Sequence, residues 1–255
     1  MRLMSARTLM LGALAVLFGT TTTFAAGWGS VKGKIVLEGA VPAPTVDVEI
    51  GKAPKDSEVC AATAPILNDS LVIGKDGGIA NVVVYLDKKP ASIHPDLKEP
   101  AEKEVVFDNV NCVFVPHVLV VRTDQAVKAV NSDACGHNVK TNMIRNKPEN
   151  QLLVANDKKG YDFKFKAAEM LPMKVECNIH AWMTAFWFVI DHPYAVVTDA
   201  EGNFEIKNLP EGDLVLKIWQ ERAGYLERSV KVSVKDGQVT DLGELKFALE
   251  KFKAK

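Results

Sequence analysis

The chain has 255 residues, 31 basic and 32 acidic side chains, 47% hydrophobic residues and a formal charge of −1. So even a balance gives no electrostatic case for nucleic-acid binding. The length provides one large or two small domains with cores of their own, so folding does not depend on a metal or on disulfides.

The N-terminus comes first. Arg2 and Arg7 precede an apolar run over residues 9–18 and a polar stretch over 20–23, the pattern of a secretory signal occupying residues 1–26. Thr23 and Ala25 offer one cleavage site and Ala26 another. The run is shorter than the roughly 20 apolar residues a bilayer requires, and no later segment spans a membrane. An exported, periplasmic chain with no transmembrane segment after cleavage is expected, an uncleaved anchor being the alternative. Loss of Arg2 and Arg7 leaves 29 basic against 32 acidic residues, a net charge of about −3.

Beyond the signal, apolar residues recur with period two. Val31-Lys32-Gly33-Lys34-Ile35, Phe204-Glu205-Ile206 and Val230-Lys231-Val232-Ser233-Val234 all alternate. The apolar runs over 81–86 and 118–121 are short, rich in β-branched residues and bounded by turn residues, which predicts buried strands rather than helices. Turns are predicted at Asp76-Gly77-Gly78, Glu201-Gly202-Asn203, Pro210-Glu211-Gly212 and Asp236-Gly237. The fold class that follows is all-β.

The chemistry concentrates in one short segment. Cys177-Asn178-Ile179-His180-Ala181-Trp182-Met183 places a thiol, an imidazole and a thioether in one loop between the predicted strands 173–176 and 185–190. About 40 residues upstream, the polar loop 131–136 delivers His137, and antiparallel packing can bring it alongside. One thiolate, two imidazoles and a weak thioether form the donor set of a type 1 copper centre, whereas zinc sites rarely use methionine. Each residue alone has an ordinary structural reading; the four together, in this order, point to copper held by His137, Cys177, His180 and Met183.

These residues carry a resemblance to the cupredoxins. Residues 113–139 look like a cupredoxin N-terminal half, and residues 177–183 look like the C-x-x-H-x-x-M loop of amicyanin-type proteins, although Ala181 stands where that loop often has proline. The C-terminal third from Thr198 resembles the second half of a transthyretin-like, carboxypeptidase-regulatory-type sandwich. The matching first half is distant, in residues 29–44 and 79–86. The combination is similar to exported bacterial proteins called methylamine-utilisation proteins. The implied architecture is a Greek-key cupredoxin-like sandwich over residues 104–192, inserted into a discontinuous transthyretin-like β-sandwich formed by 27–103 and 193–250. Two sandwiches in tandem are the alternative.

The resemblance also assigns secondary roles. Asn138 is expected to hydrogen-bond near the Cys177 sulfur and tune its potential. Trp182 is expected in an apolar rim around an exposed His180 imidazole, a docking surface through which electrons pass, with core packing as the alternative. His117 is read as structural, and His94 and His192, each before a proline, as solvated. With Cys177 on the metal, Cys60, Cys112 and Cys135 remain. Cys60–Cys112 is the preferred disulfide, with Cys112–Cys135 as its rival and no disulfide at all as a further alternative.

The function implied is one-electron transfer rather than substrate conversion, with an exported c-type cytochrome or dehydrogenase as partner. A carbohydrate- or protein-binding module with a structural or sensory copper, and copper storage or delivery, are the alternatives.

Overall fold

The computed structural model describes residues 27–253, so the expected signal lies outside the described residues. In chain order the strands are β1 (Trp28–Glu38), β2 (Val46–Val48), β3 (Ile66–Leu67), β4 (Val83–Leu86), β5 (Glu104–Val110), β6 (Val113–Val115), β7 (Val118–Arg122), β8 (Ala126–Asn131) and β9 (His137–Thr141). They continue with β10 (Asn150–Leu153), β11 (Tyr161–Lys164), β12 (Met173–Glu176), β13 (Thr184–Ile190), β14 (Ala195–Val197), β15 (Asn203–Pro210), β16 (Gly212–Gln220), β17 (Gly224–Val234) and β18 (Val239–Ala248). Among the described residues two short 3₁₀ segments are the helical content, and no helix there is long and apolar enough to cross a membrane. The protein is an all-β sandwich structure.

Alternation turns into pairing as its physical cause requires. In β1, Val31 and Ile35 are fully buried, and the strand lies antiparallel to β15, with Val31 opposite Ile206 and Gly33 opposite Phe204. A Cβ on Gly33 would sit 2.9 Å from the Phe204 ring, so the close approach depends on glycine there. The turn into β15 depends on Gly202, whose φ of +81° is a conformation that side chains with a Cβ rarely adopt. On its other edge β1 runs parallel to β18. A second sheet, in the order β14-β4-β16-β17, pairs Leu86 with Leu216 and Val84 with Ile218. Strands from before residue 104 therefore pair with strands from after residue 192, around a shared core that includes Ile35, Ile79, Tyr194, Leu209 and Leu216.

The intervening residues build two further sheets, β10-β9-β12-β13-β7 and β11-β8-β5-β6. They enclose a second core centred on Trp187, whose ring lies 5.0 Å from Phe107 and 5.2 Å from Phe163, both edge-on.

The short apolar runs are continuous because both of their faces are covered. In β4, Val84 and Leu86 enter the first core while Val83 points the other way; in β13, Ala185, Trp187 and Val189 enter the second core while Phe188 points away. Val83, Val118, Phe188 and Trp219 meet in a third cluster between the two sandwiches. Trp219 stands 5.0 Å from both Phe186 and Phe188. His117 closes the edge of this contact, with Nε2 on Glu221 and Nδ1 facing Asp69 at 3.0 Å, off the line of a good hydrogen bond.

One segment packs differently from its sequence neighbourhood. Residues 46–67 lie between β1 and β4, both strands of the first sandwich, yet Val48, Ala53, Cys60, Ala61 and Ile66 are buried in the second core. β2 and β3 form a separate two-stranded pair, and the chain between them lies over the end of the second sandwich.

Candidate metal centre

The Cys177 loop is dictated by its flanks. β12 and β13 are antiparallel neighbours with Glu176 opposite Thr184, so residues 177–183 must turn back on themselves. The turn is closed by the Cys177 N–H donating to the Met183 carbonyl at 3.1 Å and the Met183 N–H donating to the His180 carbonyl at 3.0 Å. Cys177, His180 and Met183 are all buried. β9 lies against β12, with Thr141 opposite Val175, and this pairing places His137, at the start of β9 and fully buried, beside the loop.

The two imidazoles meet through their Nδ1 atoms, 3.0 Å apart, and the Cys177 sulfur lies 4.0 Å from His180 Nδ1. Two nitrogens that each bind one ion at about 2.0 Å stand roughly this far apart. The opposite nitrogens face carboxylates: His137 Nε2 is 2.9 Å from Asp133, and His180 Nε2 is 3.0 Å from Asp56. A carboxylate on the outer nitrogen fixes ring orientation and tautomer and makes the inner nitrogen a better donor.

The electrostatics favour a cation. Burial opposes ionisation of Cys177, but hydrogen bonds involving His137, His180 and the Asn138 backbone outweigh it and bring the thiol down to about 5. Burial likewise opposes charging of His137, yet Asp133 and Cys177 lift it to about 9. Asp133 is lowered against its own burial by His137 and by the N–H groups of Cys112 and Asn111, at 2.8 and 2.6 Å. An acidified thiol beside imidazoles suits a cation, and binding of a metal ion to such ligands displaces their protons.

Asn138 stitches the two ligand segments together. Its side-chain oxygen accepts from the Asn178 N–H at 2.8 Å and faces the Cys177 sulfur at 3.5 Å. Asn131 and Asp133 shape the upstream loop: Asn131 accepts from the Asp133 N–H at 3.0 Å and donates to the Cys135 carbonyl at 2.8 Å.

Cys60 and Cys112 are joined by a disulfide, with Cα atoms 5.3 Å apart, while Cys135 and Cys177 are free and buried. Burial, together with Asp133 and other nearby acidic groups, pushes the Cys135 thiol up to about 11. The bridge ties the segment carrying Asp56 to the β5–β6 turn.

The expectations for His180, Trp182, His192 and His94 need correction. His180 has no exposed edge: its imidazole is fully buried because residues 49–63 cross over it and Asp56 occupies its outer nitrogen. Trp182 accordingly frames no exposed imidazole. It is half-buried, its ring 5.1 Å from His180, and its indole N–H donates to the Cys112 carbonyl at 3.0 Å. His192 is also buried rather than solvated, its Nδ1 accepting from the Tyr194 N–H at 3.2 Å. His94 is partly buried and caps a 3₁₀ turn by accepting from the Asp96 N–H.

The Asp133 and Asp56 contacts were not anticipated. Asp133 left a trace, four residues before His137 across a tight loop. Asp56 left none, being 124 residues from its partner.

The donor chemistry fits copper. A cysteine sulfur and two imidazole nitrogens converge and a buried thioether side chain sits on the same loop; the thioether is what favours copper over zinc, whose sites are built from Cys, His and carboxylate ligands.

No protein-family model and no curated protein matches the chain. Solved structures that resemble part of it include a copper-containing nitrite reductase from Thermus scotoductus, at 20% identity and a TM-score of 0.32, over 41% of this chain and 26% of that one. A purple cupredoxin from Nitrosopumilus maritimus is similar over 34% of this chain and 99% of its own, at 20% identity and a TM-score of 0.28. Amicyanin from Paracoccus versutus is similar over 42% of this chain and 96% of its own, at 17% identity and a TM-score of 0.29. The chain spans about a quarter of the nitrite reductase.

Proposed function

We propose that the protein is an exported type 1 copper protein that carries single electrons, with His137, Cys177, His180 and Met183 as the residues that would hold the copper. The observation that carries this reading is the convergence of the His137 and His180 Nδ1 atoms, 3.0 Å apart, beside the Cys177 sulfur in a buried pocket. Bound there, copper supplies the one-electron couple between its cuprous and cupric states.

The chain's own groups supply the rest. Asp133 and Asp56 hold the two imidazoles by their outer nitrogens, so the rings keep one orientation whether or not charge changes between them. Asn138 holds the Cys177 loop in register with β9. Burial excludes water from the pocket. The half-buried Trp182, its ring 5.1 Å from His180 and tilted by 48°, links the pocket to the surface. The partner is an exported redox protein such as a c-type cytochrome or a dehydrogenase, met through a small transient interface.

The same reading divides the chain into a cupredoxin-like unit over residues 104–192 and a transthyretin-like host over 27–103 and 193–250. The pairing of β1 with β15 and of β4 with β16 supports this nesting. Copper delivery is less well supported, because both imidazoles are buried and the segment over them is tied down by a disulfide, features that slow metal release.

Voltammetry of the copper-loaded mature protein tests the function. The expected result is a reversible one-electron wave and stoichiometric electron exchange with a soluble c-type cytochrome. An electroinactive copper, or one lost on each reduction, contradicts it.

A further inference from the structure

The Cys135 thiol is 4.0 Å from the Cys60 sulfur and 3.9 Å from the Cys112 sulfur. All three residues are buried. Nearly equal distances put Cys135 broadside to the disulfide. Thiolate attack on a disulfide requires approach in line with the bond, so this arrangement does not suit exchange. It suits a triangle. Three thiolates bound to one soft ion at about 2.3 Å, in a plane, stand about 4 Å from one another. Two sides of that triangle already have this length, and the third is held short by the covalent bond.

We propose that Cys60, Cys112 and Cys135 form a second, redox-gated metal site that binds one thiophilic ion, cuprous copper, once the disulfide is reduced. The reductant is a dithiol: it passes two electrons and two protons to the bridge, leaves as its own cyclic disulfide, and yields two thiols on the protein. One cuprous ion then binds three thiolates, and three thiol protons are released to solvent. Both half-cystines are fully buried, so reduction requires a local opening of the segment around Cys60.

The site lies against the first one without sharing its ligands. Cys135 Sγ is 3.5 Å from His137 Nε2, and Cys60 Sγ is 3.7 Å from His180 Nε2, the nitrogens turned away from the Cys177 pocket. Opening the bridge also frees the segment carrying Asp56 from its covalent tie. The oxidised form therefore has one metal site under a fixed cover, and the reduced form has two.

Thiol counting and cuprous-ion titration against a chelating competitor test this on the full mature chain. The quantity read is the gain on anaerobic dithiol reduction. Thiols should rise from two to four per chain, and tightly bound Cu(I) should rise by one equivalent. The same gain should appear in Cys177→Ser, which keeps the result separate from the fate of the Cys177 site. Cys135→Ser should abolish the added Cu(I) equivalent while its bridge still opens, and Cys60→Ala, one thiol short of the set, should bind no added equivalent with or without reductant. A bridge that stays closed under excess dithiol overturns the proposal, as does a reduced wild type with no added equivalent. A full gain in reduced Cys135→Ser overturns it as well.

Discussion

A carboxylate oxygen of Asp56 lies 3.0 Å from His180 Nε2 although 124 residues separate the two. Asp56 has a φ of +53°, and its carbonyl accepts from the N–H groups of Val59 and Cys60 at 2.9 and 2.7 Å. A tight turn therefore aims the carboxylate inward. The contact converts an imidazole that sequence reasoning placed at the surface into a buried one, held from both sides.

Removing that carboxylate has two consequences. Asp56→Ala should lower copper affinity by about 10- to 100-fold, the usual cost of losing an outer hydrogen-bond partner of a metal-bound histidine. It should also raise the reduction potential, because a negative charge beside the imidazole stabilises the cupric state. Asp56→Asn, which keeps an acceptor but not the charge, should raise the potential with a smaller loss of affinity. Competition titration and voltammetry separate the two, and unchanged values in both variants contradict the role assigned to Asp56.

His117 gives the protein a pH-dependent contact between its sandwiches. Burial opposes its charge, but Asp69 and Glu221 lift its pKa from 6.5 to about 9. A folded-state pKa above the unfolded value contributes stability that is fully present below about pH 6.5 and lost as pH rises through about 9. Wild type should therefore exceed His117→Gln in thermal midpoint by a margin that is largest near pH 6 and shrinks toward pH 10. A margin that stays constant over that range contradicts the ion-pair account.

Trp219 is buried where the outer faces of β4, β7, β13 and β16 meet, against Phe186 and Phe188. Trp219→Ala removes the largest side chain of that contact and should cost about 3–5 kcal/mol. Because neither internal core contains Trp219, the loss should uncouple the two sandwiches. Calorimetry should then resolve two transitions in the variant where the wild type shows one. A single transition shifted to lower temperature contradicts the independence of the cores.

What sequence revealed depended on how local the cause was. β1, β15 and β17 were readable from alternation because one face of each is covered and the other is not. Cys177, His180 and Met183 were readable as one group because a single hairpin loop carries all three, and a loop of fixed length constrains its own residues. The apolar runs at β4 and β7 showed burial but not its partner, since covering of the second face comes from the other sandwich. The burial of His180 and His192 was illegible for the same reason: each is covered by a segment distant in the chain. Residues 46–67 were assigned by position to the first sandwich, whereas their apolar side chains follow the second core, to which Cys60 is also tied.

The ligands should differ in what their loss removes. Met183→Leu keeps the thiolate and both imidazoles and should retain colour with a shifted potential, since the axial ligand tunes the couple. His137→Ala and His180→Ala each open the plane and should weaken binding. Retention of wild-type affinity by either alanine variant contradicts its place among the ligands.

The most direct measurement is the visible absorption spectrum of the mature protein loaded with Cu(II), recorded beside Cys177→Ser. A cupric thiolate bond produces an intense charge-transfer band that oxygen and nitrogen donors do not. Strong colour is expected at one copper per chain in the wild type and none in Cys177→Ser, even where that variant still binds copper, because a hydroxyl is a harder and poorly ionised donor. A colourless wild type with copper bound, or a band that survives in Cys177→Ser, contradicts the type 1 assignment.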